Sequence, residues 1–369
     1  MPDMKRAQDP DAVRPWSIRL SNFLASAFIV GMACAIYAYS PFNRAQLDRL
    51  FGSSEVFVIS GRQFLGWAAL SYIAALAIYL FGTAEPIASK SLRSLQALYA
   101  WVRAPRQSWR QGLDPEAGLA LRVTLLKVFF APLMGMSLMI FCASAWTNGA
   151  AIAGSNSLTS SSGDLVLLFN RFGYWFLIQA ILFIDTLVFT VGYLLESRRL
   201  DNQIRSVDPS LLGWAAALIC YPPFNLITQA ILGSHISEFP HFEPPWLHLL
   251  LNLLLLTLMG IYTAASVALG LKASNLTHRG IVSRGPYRLV RHPAYTCKNI
   301  AWWIAAVPLV SQAFSQSTLD GLQALASVAG WSLIYVLRAL TEEDHLRQVD
   351  SAYDAYASRV RHRFIPGLI

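Results

Sequence analysis

Apolar residues in this chain gather into eight stretches, near 22–39, 64–82, 128–145, 173–195, 211–232, 247–271, 294–310 and 319–340, and most of the charge falls between them. A helix needs about 20 mostly apolar residues to cross about 30 Å of hydrocarbon. The pattern therefore predicts an all-α, polytopic membrane protein with about eight transmembrane helices. Two stretches are imperfect: the fourth contains Asp185, and the fifth is interrupted by Pro222-Pro223. An ionisable group at membrane depth is costly and marks a functional candidate. Proline removes helix donors, and the carbonyls it frees are tolerated only where buried in protein or lining a cavity. Asp185, Tyr221, Pro223 and Asn225 are therefore candidates to line a substrate cavity; the alternative is that they serve helix packing alone.

Composition agrees, with 55% hydrophobic and 14% charged residues, far from a soluble domain. With the N-terminus in the cytoplasm, 25 of the 29 Lys and Arg residues fall on the inner side. Arg44, Arg49, Arg62 and Arg171 are the four outside. This asymmetry predicts both termini in the cytoplasm of a bacterial inner membrane. It also assigns the net charge of +8 to topology and anionic headgroups rather than to nucleic acid. Arg14 and Arg19 precede an apolar run containing Ala33-Cys34-Ala35, a pattern compatible with a cleaved leader. The run continues through Tyr39, so a retained first span is expected.

Segment 89–110 places Leu92, Leu95, Leu98, Tyr99 and Val102 at helical spacing among Lys90, Arg93, Arg103 and Arg106, as in a helix lying at the membrane interface. The outer loop 147–163 is rich in Ser, Gly, Ala and Asn. The four cysteines carry no disulfide pattern. His235, Glu238, His241, Glu243 and His248 have irregular spacing that fixes no ligand geometry, so no metal is expected.

The chemistry concentrates near the C-terminus. Gly285-Pro286-Tyr287-Arg288 and Arg291-His292-Pro293-Ala294-Tyr295 precede the seventh stretch, and Glu342-Glu343 ends the eighth. A short connection makes these two stretches antiparallel neighbours, which places the Arg-His-Pro segment beside the glutamates. Pro293 suits a first helical position, and the helix start offers backbone donors with partial positive charge. Arg and helix donors on one side, with carboxylates on the other, complement a zwitterion such as the amino-acid end of a cofactor. Tyr353 and Tyr356 recur at helical spacing in the tail beside Arg359 and are placed to stack on a base. The competing reading is that these cations only anchor the chain to headgroups.

From about Leu269 to the C-terminus the chain resembles the superfamily of isoprenylcysteine carboxyl methyltransferases and phospholipid N-methyltransferases. The residues that carry the resemblance are Gly285 to Arg288, Arg291 to Tyr295, Glu342, Glu343, Leu346, Tyr353, Tyr356, Arg359 and Pro366. The resemblance implies an S-adenosylmethionine site opening to a lipid-accessible tunnel. Arg291, His292 and Glu343 would be catalytic, and Tyr287, Pro293, Tyr295, Glu342, Tyr353, Tyr356 and Arg359 would join them in holding the cofactor. Cys297 departs from the pattern, since a glycine is usual there.

The implied organisation is a cytoplasmic tail (1–21), a six-span region (22–268) with acceptor determinants, and a methyltransferase module (269–369). The expected partners are the bilayer and a lipidic acceptor. Two rivals remain at this stage. Membrane sterol reductases using NADPH have a similar arrangement, but typically with Asn after His-Pro, where this chain has Ala294. A transporter or assembly protein is the other.

Overall fold

A computed structural model describes residues 15–53, 57–82, 87–104, 113–155, 162–233 and 240–367. The chain divides into two compact units, Met1–Pro132 and Leu133–Ile369.

The first unit holds α1 (Pro15–Tyr39), the short α2 (Arg44–Leu47), a hairpin of β1 (Leu50–Ser53) and β2 (Phe57–Ser60), α3 (Gly61–Gly82) and α4 (Lys90–Arg103). It also holds the first part of α5 (Pro115–Ala153). Asn22 of α1 is buried and clamps the α3–α4 connection, donating to the Ile87 carbonyl at 2.8 Å and accepting from Ser89 N at 2.8 Å. Ser89 in turn caps α4 by accepting from Leu92 N. The amphipathic helix expected in segment 89–110 is α4; residues 105–112 lie outside the described residues.

In the second unit the chain continues through α6 (Ser162–Leu168), a π-turn at 169–173, α7 (Tyr174–Leu194), β3 (Ser206–Val207), α8 (Leu211–Leu218), α9 (Asn225–Leu232) and α10 (Pro245–Leu269). After β4 (Thr277–His278), which pairs antiparallel with β3, come α11 (Pro293–Gln316), α12 (Thr318–Val349) and α13 (Ala352–Arg359). Tyr174, Ile178 and Leu182 of α7 pack with Leu255 and Met259 of α10 and Ala301 of α11 to form the core that supports the polar end.

Helices α7 and α10 run parallel. Asn170 meets the Pro245 carbonyl at one end, and Thr263 meets the Ile181 carbonyl further along. Ser266 then meets Asp185, and the two C-terminal ends share the guanidinium of Arg279. Two parallel neighbours need a return path, and α8–α9 supplies it. That segment runs antiparallel to α12, with Tyr221 near Arg338 at one end and Gly233 near Ser327 at the other.

Among the described residues, six helices are long and apolar enough to span a membrane: Pro15–Tyr39, Gly61–Gly82, Pro115–Ala153, Leu165–Leu194, Pro245–Lys272 and Thr318–Val349. The two expected stretches outside this set have separate reasons. Residues 211–232 form two eight-residue helices because Pro222-Pro223 breaks the ladder. Helix α11 has the length, at 24 residues, but carries Lys298, Asn299 and a polar end from Ser311 to Gln316. It nevertheless packs between α10 and α12.

Candidate functional site

Only Ser317 separates α11 from α12, and its hydroxyl caps α12 by accepting from Asp320 N at 3.0 Å. The hairpin brings the start of α11 beside the end of α12. His292 is the N-cap of α11 and Pro293 its first residue, where the missing N–H is no loss.

Glu343 is fully buried, and nitrogen groups converge on it from three segments. Arg291 Nε donates at 2.8 Å, His292 Nε2 lies at 3.1 Å, Arg347 Nη2 donates at 3.0 Å and Arg363 Nε lies at 3.1 Å. A carboxylate taken out of water is stable only when paired and hydrogen-bonded in this way. Glu343 is thereby committed to holding protein cations together.

Arg291 does a second job. Its Nη1 donates to the carbonyls of Val360 and Arg361, and its backbone N–H donates to the His362 carbonyl. His292 N donates to the Arg363 carbonyl, and Thr296 Oγ1 to Phe364. The tail is thus strapped over the start of α11. Tyr353 and Tyr356 are buried with Val360 under this strap, packed on Ile281 and Leu346, and Tyr356 donates to the Tyr287 carbonyl at 3.0 Å. Burial pushes the Tyr356 hydroxyl up to about 12 and also raises Tyr353 and Tyr287, so all three are neutral donors at pH 7. Arg359 is exposed at the end of α13, away from the ion-pair network.

Glu342 differs from its neighbour. It is half-buried, accepts from the Tyr295 hydroxyl, and stands 3.9 Å from both Arg338 and His292. The Tyr295 ring stacks on His292, with centroids 5.5 Å apart and planes at 9°.

Arg338, to which the sequence reading gave no site role, is the centre of a buried polar cluster. Its guanidinium lies over the rings of Tyr221, Tyr295 and Tyr335, at 5.9, 5.1 and 5.3 Å. Its Nη2 donates to Asn275, which also donates to the hydroxyls of Tyr193 and Tyr221. Its Nε is buried with no hydrogen-bond partner among the described residues. The signal was available: Arg338, like Asp185, is a charge within an apolar helix.

Tyr221 therefore joins this cluster. Pro223 is exposed at the break, and Asn225 begins α9. Asp185 accepts from Tyr262 at 3.0 Å and Ser266 at 2.5 Å, which makes it a link between α7 and α10. Cys297 is buried on α11. His235 and Glu238 lie outside the described residues; among the described residues no group of three or more His, Cys, Asp or Glu could hold a metal ion.

Residues 246–348 match the model of the isoprenylcysteine carboxyl methyltransferase (ICMT) family. The match covers α10, α11 and nearly all of α12, including Tyr287 to Tyr295, Arg338 and the glutamate pair. It leaves out Asp185, Tyr221, Pro223 and Asn225, and also Tyr353, Tyr356 and Arg359. No curated protein and no solved structure matches the chain.

Proposed function

We propose that this protein is an S-adenosylmethionine-dependent membrane methyltransferase acting on a lipidic acceptor from the side where α11 starts and α12 ends. The observation that carries the reading is the meeting of half-buried Glu342 with buried, incompletely satisfied Arg338, inside the segment that matches a methyltransferase family. The Lys and Arg distribution supports placing this end in the cytoplasm, and the parallel pairing of α7 with α10 supports a chain that crosses eight times.

The residues fit a zwitterionic cofactor, with a division of labour finer than the sequence suggests. Glu342 is the carboxylate available for an ammonium, because Glu343 is already surrounded by protein cations. Arg291 and His292 position the tail and Tyr295 through Glu343, and Tyr287 and Pro293 form the turn that sets the helix start. The cofactor would supply a methyl group on a sulfonium, a leaving group that needs no protonation. What remains for this chain is alignment and exclusion of water. Arg338, with an unpaired Nε among tyrosine rings, is suited to hold an anionic acceptor group; a carboxylate needs no general base.

Isothermal titration of the detergent-purified protein with S-adenosylmethionine and with NADPH tests the proposal. Binding of the first and not the second is expected, with methylation of a membrane-lipid extract. Binding of NADPH alone would replace the proposal with a reductase, and binding of neither would favour a non-enzymatic protein.

A further inference from the structure

The break between α8 and α9 creates an apolar feature that the polar site does not use. A cavity of about 320 Å³ lies between the break and α12, lined by Ile219, Ile227, Ile231 and Leu232 on one wall and by Gly330 and Ile334 on the other. Thr228 also borders it but turns its hydroxyl back to the Ile219 carbonyl at 3.1 Å. That bond satisfies a carbonyl near the helix break and leaves a hydrocarbon lining.

The cavity is at the small end of ligand pockets, which run from about 300 to 1,000 Å³, and is too small for a helix. Its mouth is exposed and apolar, with Ile227 at 62% and Ile231 at 75%. Its other end approaches the polar cluster by two routes. On α12, Arg338 follows Ile334 by one turn on the same face, a rise of about 6 Å. On the opposite wall, Tyr221 follows Ile219 by two residues, and its ring lies beneath the Arg338 guanidinium. An amphiphile with its polar group at Tyr221 and Arg338 would therefore lay its chain along this groove.

We infer that the groove between α9 and α12 seats a single hydrocarbon chain of the acceptor lipid, and that Gly330 sets its depth. The inference rests on the methyltransferase reading for the word acceptor, but its geometry is independent of the cofactor. A Cβ at Gly330 would stand 2.8 Å from Leu232 Cδ2 and 3.0 Å from Cδ1. A larger residue there must displace Leu232, and because Gly330 lines the groove its own side chain would take up part of that space. The aliphatic lining gives no partner to a polar headgroup, and about 320 Å³ leaves room in the groove for one chain rather than two.

The test uses full-length protein in nanodiscs with a diazirine-bearing C16 fatty acid as photoprobe. Adducts are expected on α9 and the facing turn of α12, with competition by a lysophospholipid at least tenfold more effective than by a diacyl phospholipid. Gly330→Leu should remove these adducts, and Leu232→Ala, which opens the groove, should increase them. Calorimetric S-adenosylmethionine affinity should be unchanged in both variants. Adducts spread evenly over the lipid-facing helices, equal competition by the diacyl lipid, or labelling unchanged in both variants would overturn the inference. A parent protein that labels in the groove but binds no S-adenosylmethionine would sink the methyltransferase reading while supporting the chain site.

Discussion

Arg291 and Glu343 lie 52 positions apart in sequence, and Arg291 Nε stands 2.8 Å from the Glu343 carboxylate. That contact joins the start of α11 to the end of α12. Through the other donors of Arg291 it also fixes the tail at Val360 and Arg361. Glu343→Gln would leave buried Arg291 without its counter-ion and His292 without its carboxylate partner. The expected loss is about 3 kcal/mol, the low end for removing one partner of a buried pair, since Arg347 and Arg363 remain part-exposed. A lowered thermal midpoint and faster proteolysis after residue 349 would register it. An unchanged midpoint with an intact tail would contradict the positioning role.

Glu342→Gln should behave in the opposite way. Glu342 is half-buried and its substitution leaves the Glu343 cluster whole, so the fold is expected to survive. Cofactor affinity should fall by about 1.5–3 kcal/mol, the worth of a charge-assisted contact. Calorimetry on the two variants side by side separates the roles; equal S-adenosylmethionine affinity in the parent and in Glu342→Gln would remove Glu342 from the site.

The hairpin was legible in the sequence because one polar connection between two apolar stretches leaves few arrangements, and the helix break was legible because consecutive prolines cannot continue a ladder. The separate fates of Glu342 and Glu343 were not. They depend on which side of α12 faces the start of α11, and on a tail that folds back to add Arg363. The Arg338 cluster was hidden for a related reason: Tyr221, Asn275, Tyr295 and Tyr335 come from four segments, and no local spacing announces their meeting. Asp185 stood out as a charge in an apolar stretch, but only the positions of Tyr262 and Ser266 reveal its use as a link between helices.

Arg279 is buried and donates to the carbonyls of Gly192, Asn202 and Leu271, with Leu195 at the edge of bonding distance. The planar fork satisfies the ends of α7 and α10 together, which a lysine ammonium cannot do from one point. Arg279→Lys should therefore destabilise the protein by about 1–3 kcal/mol through carbonyls left unpaired. A thermal midpoint in detergent equal to that of the parent would show the clamp to be dispensable.

His278 predicts a pH dependence. Burial lowers its pKa below the ordinary 6.5, an effect that outweighs the Asp350 carboxylate 2.8 Å away; Arg205 and Lys272 push in the same direction as burial. The unfolded chain then binds more protons than the folded one just below pH 6.5, so stability is present above that value and declines as pH falls. Chemical denaturation between pH 7.5 and 5.5 should show this slope, and His278→Gln should flatten it. An identical slope in the variant would assign the effect to other groups.

The last prediction concerns the path of the chain through the membrane. Helices α7 and α10 are parallel, and α8–α9 runs antiparallel to α12, so the broken segment is expected to return the chain to the opposite face despite its interruption. Arg284 then ties the start of the α11 turn to the end of α10 through the Ala268 carbonyl at 3.0 Å, so α11 departs from the face at which α10 ends. Ser197 and Ser351 should consequently lie on one side, and His241 and Ser317 on the other. Single cysteines at these positions, in a background lacking the four native ones, can be labelled with an impermeant maleimide in right-side-out and inverted vesicles. The pair 197 and 351 is expected to react from the cytoplasmic side, in keeping with the basic segments 196–210 and 338–369. Reaction of Ser317→Cys from that same side would show that α11 and α12 do not cross. Reaction of His241→Cys from it would show that α8–α9 turns back within the membrane.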